Sequence, residues 1–184
     1  MKNKIIKATS DTISKVGFRG FIIDDICTYL GISKKTVYKY FANKTELINA
    51  VIESNLNADR MNTLEAIQNE ESWPGRIKAA ILFHHITKIP INLLDELRRL
   101  YPESWNRFND LREFKKNLIR DLIKDGIKQK YLKADVSPEI ILLLIDSSIP
   151  CILNYDFLAK NDINVNQATE EMMKIIFYGI TIDK

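Results

Sequence analysis

Only six glycines, five prolines and two cysteines occur in 184 residues, and each scarcity narrows the field. With so few breakers long helices are favoured, and no Pro/Gly/Ser-rich stretch separates independent domains. Cys27 and Cys151 lie far apart among apolar neighbours and match no CxxC or Cys–His spacing. That excludes a zinc site and a disulfide framework, and no metal is expected. Both are predicted to be small buried hydrophobes in a reducing compartment. The only histidines, His84 and His85, are adjacent, so they diverge around a helix and cannot form an i, i+4 metal pair. Glycine-rich phosphate loops, G-x-S-x-G and HExxH are all missing, which argues against an enzyme and against a cofactor. The greasiest stretch, residues 138–158, is interrupted by Asp146, Pro150, Asn154 and Asp156 and makes a poor membrane span. Residues 1–6 lack the apolar core of a signal peptide, so a soluble cytoplasmic protein is expected.

What is present is uneven charge. The first fifty residues hold nine basic and four acidic side chains, a surplus of five in a chain whose net charge is +3. The remainder is therefore mildly acidic. A basic head on such a body suits a nucleic-acid binder with a second task, although a solvated basic face gives the same count.

Apolar spacing predicts an all-α chain of nine helices, with no period-two alternation for a strand. The first covers residues 2–16 and stops at Gly17. Short helices follow at 23–30 and 34–40, separated by Gly31-Ile32-Ser33, with Ser33 as N-cap. Asn43 and Glu46 form a capping box opening a helix to about residue 69. Helices at about 72–89 (with Ser72-Trp73-Pro74 at its start), 93–100, 102–130, 138–158 and 165–178 complete the set, the last opened by Asn164 with Gln167.

The region 23–40 carries the functional inference. Two short helices crossing closely need apolar contacts, a small residue at the crossing and a glycine where φ turns positive. Ile26, Cys27, Leu30, Gly31, Ile32, Val37 and Tyr40 supply them, with Val37 and Tyr40 facing inward. Such a unit can be mere packing. The outward set Ser33, Lys34, Lys35, Thr36, Tyr38 and Lys39 favours DNA, because cations and hydroxyls there reach phosphates and base edges.

The run Gly17-Phe18, Asp25-Ile26-Cys27, Gly31-Ile32-Ser33, then Thr36-Val37-Tyr38-Lys39-Tyr40-Phe41-Ala42-Asn43-Lys44-Thr45-Glu46-Leu47 resembles the DNA-binding signature of the TetR family. The resemblance implies a helix-turn-helix domain over residues 1–47 and a helical effector-binding and dimerisation domain over 48–184. It implies that Lys34, Lys35 and Thr36 face bases or adjoining backbone. It also implies that Tyr38, Lys39, Tyr40 and Lys44 contact phosphates, Lys44 from a helix N-terminus that itself favours an anion. For Tyr40 a core position stands equally open. The chain departs from the family pattern at Phe21 and Ile22, where a Ser or Thr usually caps helix 2. It departs again at Lys35, where a small residue is common. Gly126-Ile127-Lys128 and Tyr131-Leu132-Lys133-Ala134-Asp135 resemble the family weakly, near the end of a body helix.

Ile140 to Ile145 are consecutive apolar residues, and a helix greasy all round must be buried all round. Together with the last helix this predicts a homodimer through Leu143, Leu144, Met173, Ile176 and Phe177, the alternative being a core helix of a monomer. Phe83, Ile86, Trp105, Phe108 and Tyr155 are candidate lining for an effector pocket. The implied function is a ligand-responsive repressor that binds a pseudo-palindromic operator as a dimer and is released by a small hydrophobic effector. The alternative is a regulator whose body binds a protein partner.

Overall fold

The computed structural model describes residues 1–85, 93–152 and 155–178, without the side chains of 82–85, 149–150, 152, 155, 165–166 and 178. Ten helices and no strand occupy the described residues: α1 (Lys2–Gly20), α2 (Ile23–Leu30), α3 (Lys34–Tyr38), α4 (Lys44–Gln68), α5 (Trp73–His85), α6 (Leu94–Leu100), α7 (Pro102–Lys128), α8 (Pro138–Ile152), α9 (Tyr155–Asn161) and α10 (Val165–Tyr178). The count exceeds the expected nine because the 138–158 stretch is described as α8 and α9. No helix among the described residues is long and apolar enough to cross a membrane.

Helix starts follow local chemistry closely. Ser33 Oγ accepts the Thr36 N–H at 3.2 Å, and Ser72 Oγ accepts that of Gly75 at 3.1 Å. Asn164 and Gln167 form a reciprocal box, each backbone N–H donating to the other side chain at 3.0 Å. The box at α4 is displaced by one residue: Asn43 Oδ1 accepts the Glu46 N–H at 2.8 Å, while the Glu46 carboxylate takes the N–H of Ala42. Ile22 precedes α2 without any side-chain cap, as its apolar nature dictates, and Asp24 and Asp25 in the first turn complement the helix dipole instead.

Three helices end in the same backbone motif, in which one left-handed residue lets two N–H groups turn back onto the last turn. At α2 the left-handed residue is Gly31, with φ of 63°, and Ile32 N–H donates to the Cys27 carbonyl at 3.0 Å. At α7 and α9 the same place is held by Lys130 and Asp162, with φ of 62° and 51°. Gly17 interrupts α1 with φ of 77°, so the expected stop at this residue is real, but one more turn of helix follows it.

The chain forms two compact units. One comprises Met1–Met61 with Thr87–Leu111, the other Asn62–Ile86 with Arg112–Lys184. The first unit takes in α6 because that helix is tied to α1. Glu96 accepts the Phe18 N–H at 3.0 Å, directly after the Gly17 interruption, and the Phe18 and Tyr101 rings pack at 5.4 Å. The start of α7 is fastened to α4 by Ser104 on Asn49 at 2.9 Å and Arg107 on Glu53 at 3.0 Å. Its core includes Ile5, Ile13, Phe18, Phe21, Ile26, Val37, Phe41 and Leu47.

The second unit is built around Trp73, Ile77, Ile81, Ile119, Ile123, Leu132, Ile141, Leu142, Ile145, Met172 and Met173. Trp73 is its keystone. The indole Nε1 donates to the Leu122 carbonyl at 2.7 Å, and its ring stacks on Tyr131 at 5.2 Å and meets Phe177 edge-on at 6.3 Å. The ring lies against Gly126, where α7 lacks a side chain.

Candidate nucleic-acid interface

The helix-turn-helix is assembled by burial on one side and exposure on the other. Ile26 and Val37 are fully buried and lock α3 to the head, with Gly31 in its turn free of any close neighbour. Cys27, expected in the core, is only half-buried, and burial pushes its thiol pKa up, with Asp24 adding to the rise. The thiol is thus in its neutral form at neutral pH. Cys151, likewise expected inside, is exposed.

The helix itself spans five residues, shorter than the expected 34–40, because Lys39 and Tyr40 already turn toward α4. Lys34, Lys35, Tyr38 and Lys39 stand exposed together. Tyr40 is 40% exposed, so its place is not the inward one that spacing suggested beside Val37. Ser33 and Thr36 share their hydroxyls at 3.0 Å, which fixes the N-terminal corner of the helix. Thr36 is half-buried, and its outward reach is the shortest of the set.

Two cations are held in place. Lys34 Nζ sits 2.9 Å from Asp24 Oδ1 across the turn, and this pairing raises the Lys34 pKa further above its ordinary value. Lys34 is therefore a fixed cation at any physiological pH. Lys44 donates to the Phe21 carbonyl and lies 5.3 Å from the Phe21 ring centroid. A lysine in the first turn of α4 opposes the helix dipole, and this carbonyl offsets the mismatch. Lys2 adds another cation 5.7 Å from the Phe41 ring.

Sequence reasoning missed two residues here. Asp24 is the counter-charge of Lys34, a contact made across the turn that no local pattern announces. Tyr29, 77% exposed on α2, is an aromatic on the surface of the same motif. Its signal was present, since an apolar ring at that position has no partner on the α2 stripe.

The other expected sites are distributed differently. Trp105 and Phe108 stack at 5.3 Å within the first unit, Phe108 buried and Trp105 half-buried. Ile86 lies outside the described residues, and Phe83 and Tyr155 are described only as helical backbone. Of the expected interface residues, Leu143 and Leu144 are exposed on α8, Ile176 and Phe177 are half-buried on α10, and Met173 belongs to the core of the second unit.

Comparison with known proteins agrees with this geometry. Residues 5–51 match the family of bacterial regulatory proteins of the tetR type. An uncharacterized HTH-type transcriptional regulator, YvaF of Bacillus subtilis (strain 168), is 22% identical over 187 residues, covering 100% of this chain and 97% of that protein. A putative transcriptional regulator of the TetR/AcrR family superposes with a TM-score of 0.81 at 17% identity, over 96% of this chain and 99% of that one. The regulator FadR from Bacillus subtilis, solved in complex with stearoyl-CoA, gives a TM-score of 0.72 at 17% identity, over 98% of this chain and 100% of its own. The buried hinge of α2 and α3, the exposed cationic face beyond it and the matched 5–51 segment agree: the chain belongs to the TetR family of transcriptional regulators, DNA-binding proteins of the helix-turn-helix kind.

Proposed function

We infer that the protein is a repressor that binds an inverted-repeat operator as a homodimer and leaves it when a small, largely apolar effector occupies the second unit. One observation carries the DNA half of this reading: α3 is anchored by a fully buried Val37 while Lys34, Lys35, Tyr38 and Lys39 all point to solvent. A rigid rod presenting cations and a phenol is what the major groove and its flanking phosphates accept. The dimer half is supported by bare apolar side chains on α8 and α10, and the ligand half by the fold likeness to a regulator solved with stearoyl-CoA. An effector acts only through a preference for the form that does not grip DNA, and operator must weaken effector binding by the same factor.

Selection from a random duplex pool by the purified protein tests the reading. An inverted repeat should be enriched. Recovery of an unsymmetrical single site, or of nothing above background, would overturn it. Within that assay Asp24 and Lys35 separate affinity from sequence choice. Asp24→Asn removes a negative charge beside the DNA face and should tighten all duplexes alike, by about two- to fivefold at low salt. Lys35→Ala should reorder the ranking of operator variants rather than scale them equally. Loosened binding by Asp24→Asn would show that the exposed face of α3 is not the DNA face.

A further inference from the structure

Beside the Trp73 keystone the second unit carries a cavity of about 320 Å³. Trp73, Pro74, Ile77, Tyr131, Met173 and Phe177 form its apolar wall. Its rim is ionic: among the described residues Lys78, Glu170 and Lys174 complete the lining. Trp105 and Phe108, expected to line an effector site, lie in the first unit and are not part of this wall.

The geometry points to this cavity as the binding site for an amphipathic monoanion, a flat apolar body bearing one carboxylate or similar group. The inference rests on the ligand-responsive reading above and gives it a place and a ligand class. The apolar wall fixes the first half of that class. Trp73 is held by its bond to Leu122 and by two ring contacts, so the wall is pre-formed and binding orders little more of it.

The rim fixes the second half. Lys78 and Glu170 form an ion pair at 2.8 Å and neutralise each other. Lys78, followed by Lys174, pulls the Glu170 pKa below its ordinary value, so this carboxylate is ionised at neutral pH. Among the described residues, Lys174 then leaves the rim with one surplus positive charge. A neutral ligand gains nothing from that charge, a cation is repelled by it, and a monoanion is attracted. The charge lies at the rim, so an anionic head remains partly in water while the body is buried, the arrangement with the least desolvation cost.

Calorimetric titration without DNA tests this, with 2-naphthylacetate as probe and 2-(2-naphthyl)ethanol as its neutral counterpart. The acid should bind about three- to fivefold more tightly than the alcohol, the range one partly exposed ion pair supplies. Lys174→Gln should erase that preference and leave the alcohol unchanged. Ile77→Trp should block both probes; if its thermal melt shows an unfolded chain, Phe177→Ala, which opens the wall, should weaken both instead. Equal binding of acid and alcohol to the wild type, no binding of either at millimolar concentration, or binding indifferent to the wall variants would each overturn the assignment. Operator affinity with and without bound probe is measured separately. A probe that binds as described but leaves operator affinity unchanged upholds the site and removes its role in release.

Discussion

Gly126→Ala is expected to lower the thermal midpoint by roughly 4–8 °C, although alanine is the better helix former. Propensity alone favours the change by about 1 kcal/mol in the interior of α7. Packing opposes it more strongly. A Cβ at this position would overlap the Trp73 indole at Cζ2 and Cε2 and lie 2.8 Å from Nε1. The ring has no easy retreat, because it is buried, bonded to the Leu122 carbonyl and stacked on Tyr131. Overpacking of this kind costs about 1–3 kcal/mol, and losing the indole hydrogen bond adds about 1 kcal/mol. The balance is a loss near 2 kcal/mol, and for a chain of this length each 1 kcal/mol moves the midpoint by about 2–4 °C. Four residues on, the sign reverses. Lys130 occupies a left-handed conformation that costs an L-residue strain, and Lys130→Gly should stabilise by about 0.5–1 kcal/mol. Differential scanning calorimetry of the two variants checks both. A stabilised Gly126→Ala would show that Trp73 shifts freely, and the rigid wall of the neighbouring cavity would go with it.

These two positions also mark the limit of what the chain reveals by itself. Helix starts were legible because a cap is a contact between residues three apart: Asn164 with Gln167 and Ser33 with Thr36 stand as their spacing predicts. Gly31 and Gly17 were legible because a positive φ favours glycine. Lys130 and Asp162 adopt the same backbone without that marker, so nothing local announces them. Contacts between distant residues were hidden altogether. Glu96 carries no local signal of its role, yet it accepts the Phe18 N–H that follows Gly17, 78 positions away. This contact also helps explain why the first unit extends beyond the expected head. Within the interface, the identities of the exposed cations were readable from the α3 pattern, but their partners were not. Asp24 and the Phe21 carbonyl meet Lys34 and Lys44 only after the chain has turned.

Leu143→Arg is expected to yield a folded monomer that binds operator at least about a hundredfold more weakly than the wild type. The six consecutive apolar residues of α8 divide into two faces. Ile141, Leu142 and Ile145 are buried in the second unit, whereas Ile140, Leu143 and Leu144 are 55%, 60% and 49% exposed. Ile175, at 78%, adds to the bare surface from α10, a helix that packs on α8. Large apolar side chains left bare together on a charged surface mark an interface. Cys151 lies seven residues beyond Leu144 on the same side of α8 and is exposed as well. If a second copy covers this face, an arginine at 143 would bring an unpaired charge into the desolvated contact. The fold survives because Leu143 contributes little to its own core; Ile141→Arg, by contrast, should unfold the chain. Operator affinity falls because a monomer carries one head, and the second half-site then has to be filled from bulk solution instead of at the roughly millimolar effective concentration a tethered head provides. Analytical ultracentrifugation and operator titration on the same samples decide the matter. A wild type that sediments as a monomer at micromolar concentration, or a Leu143→Arg protein that remains dimeric, removes α8 as the dimer contact.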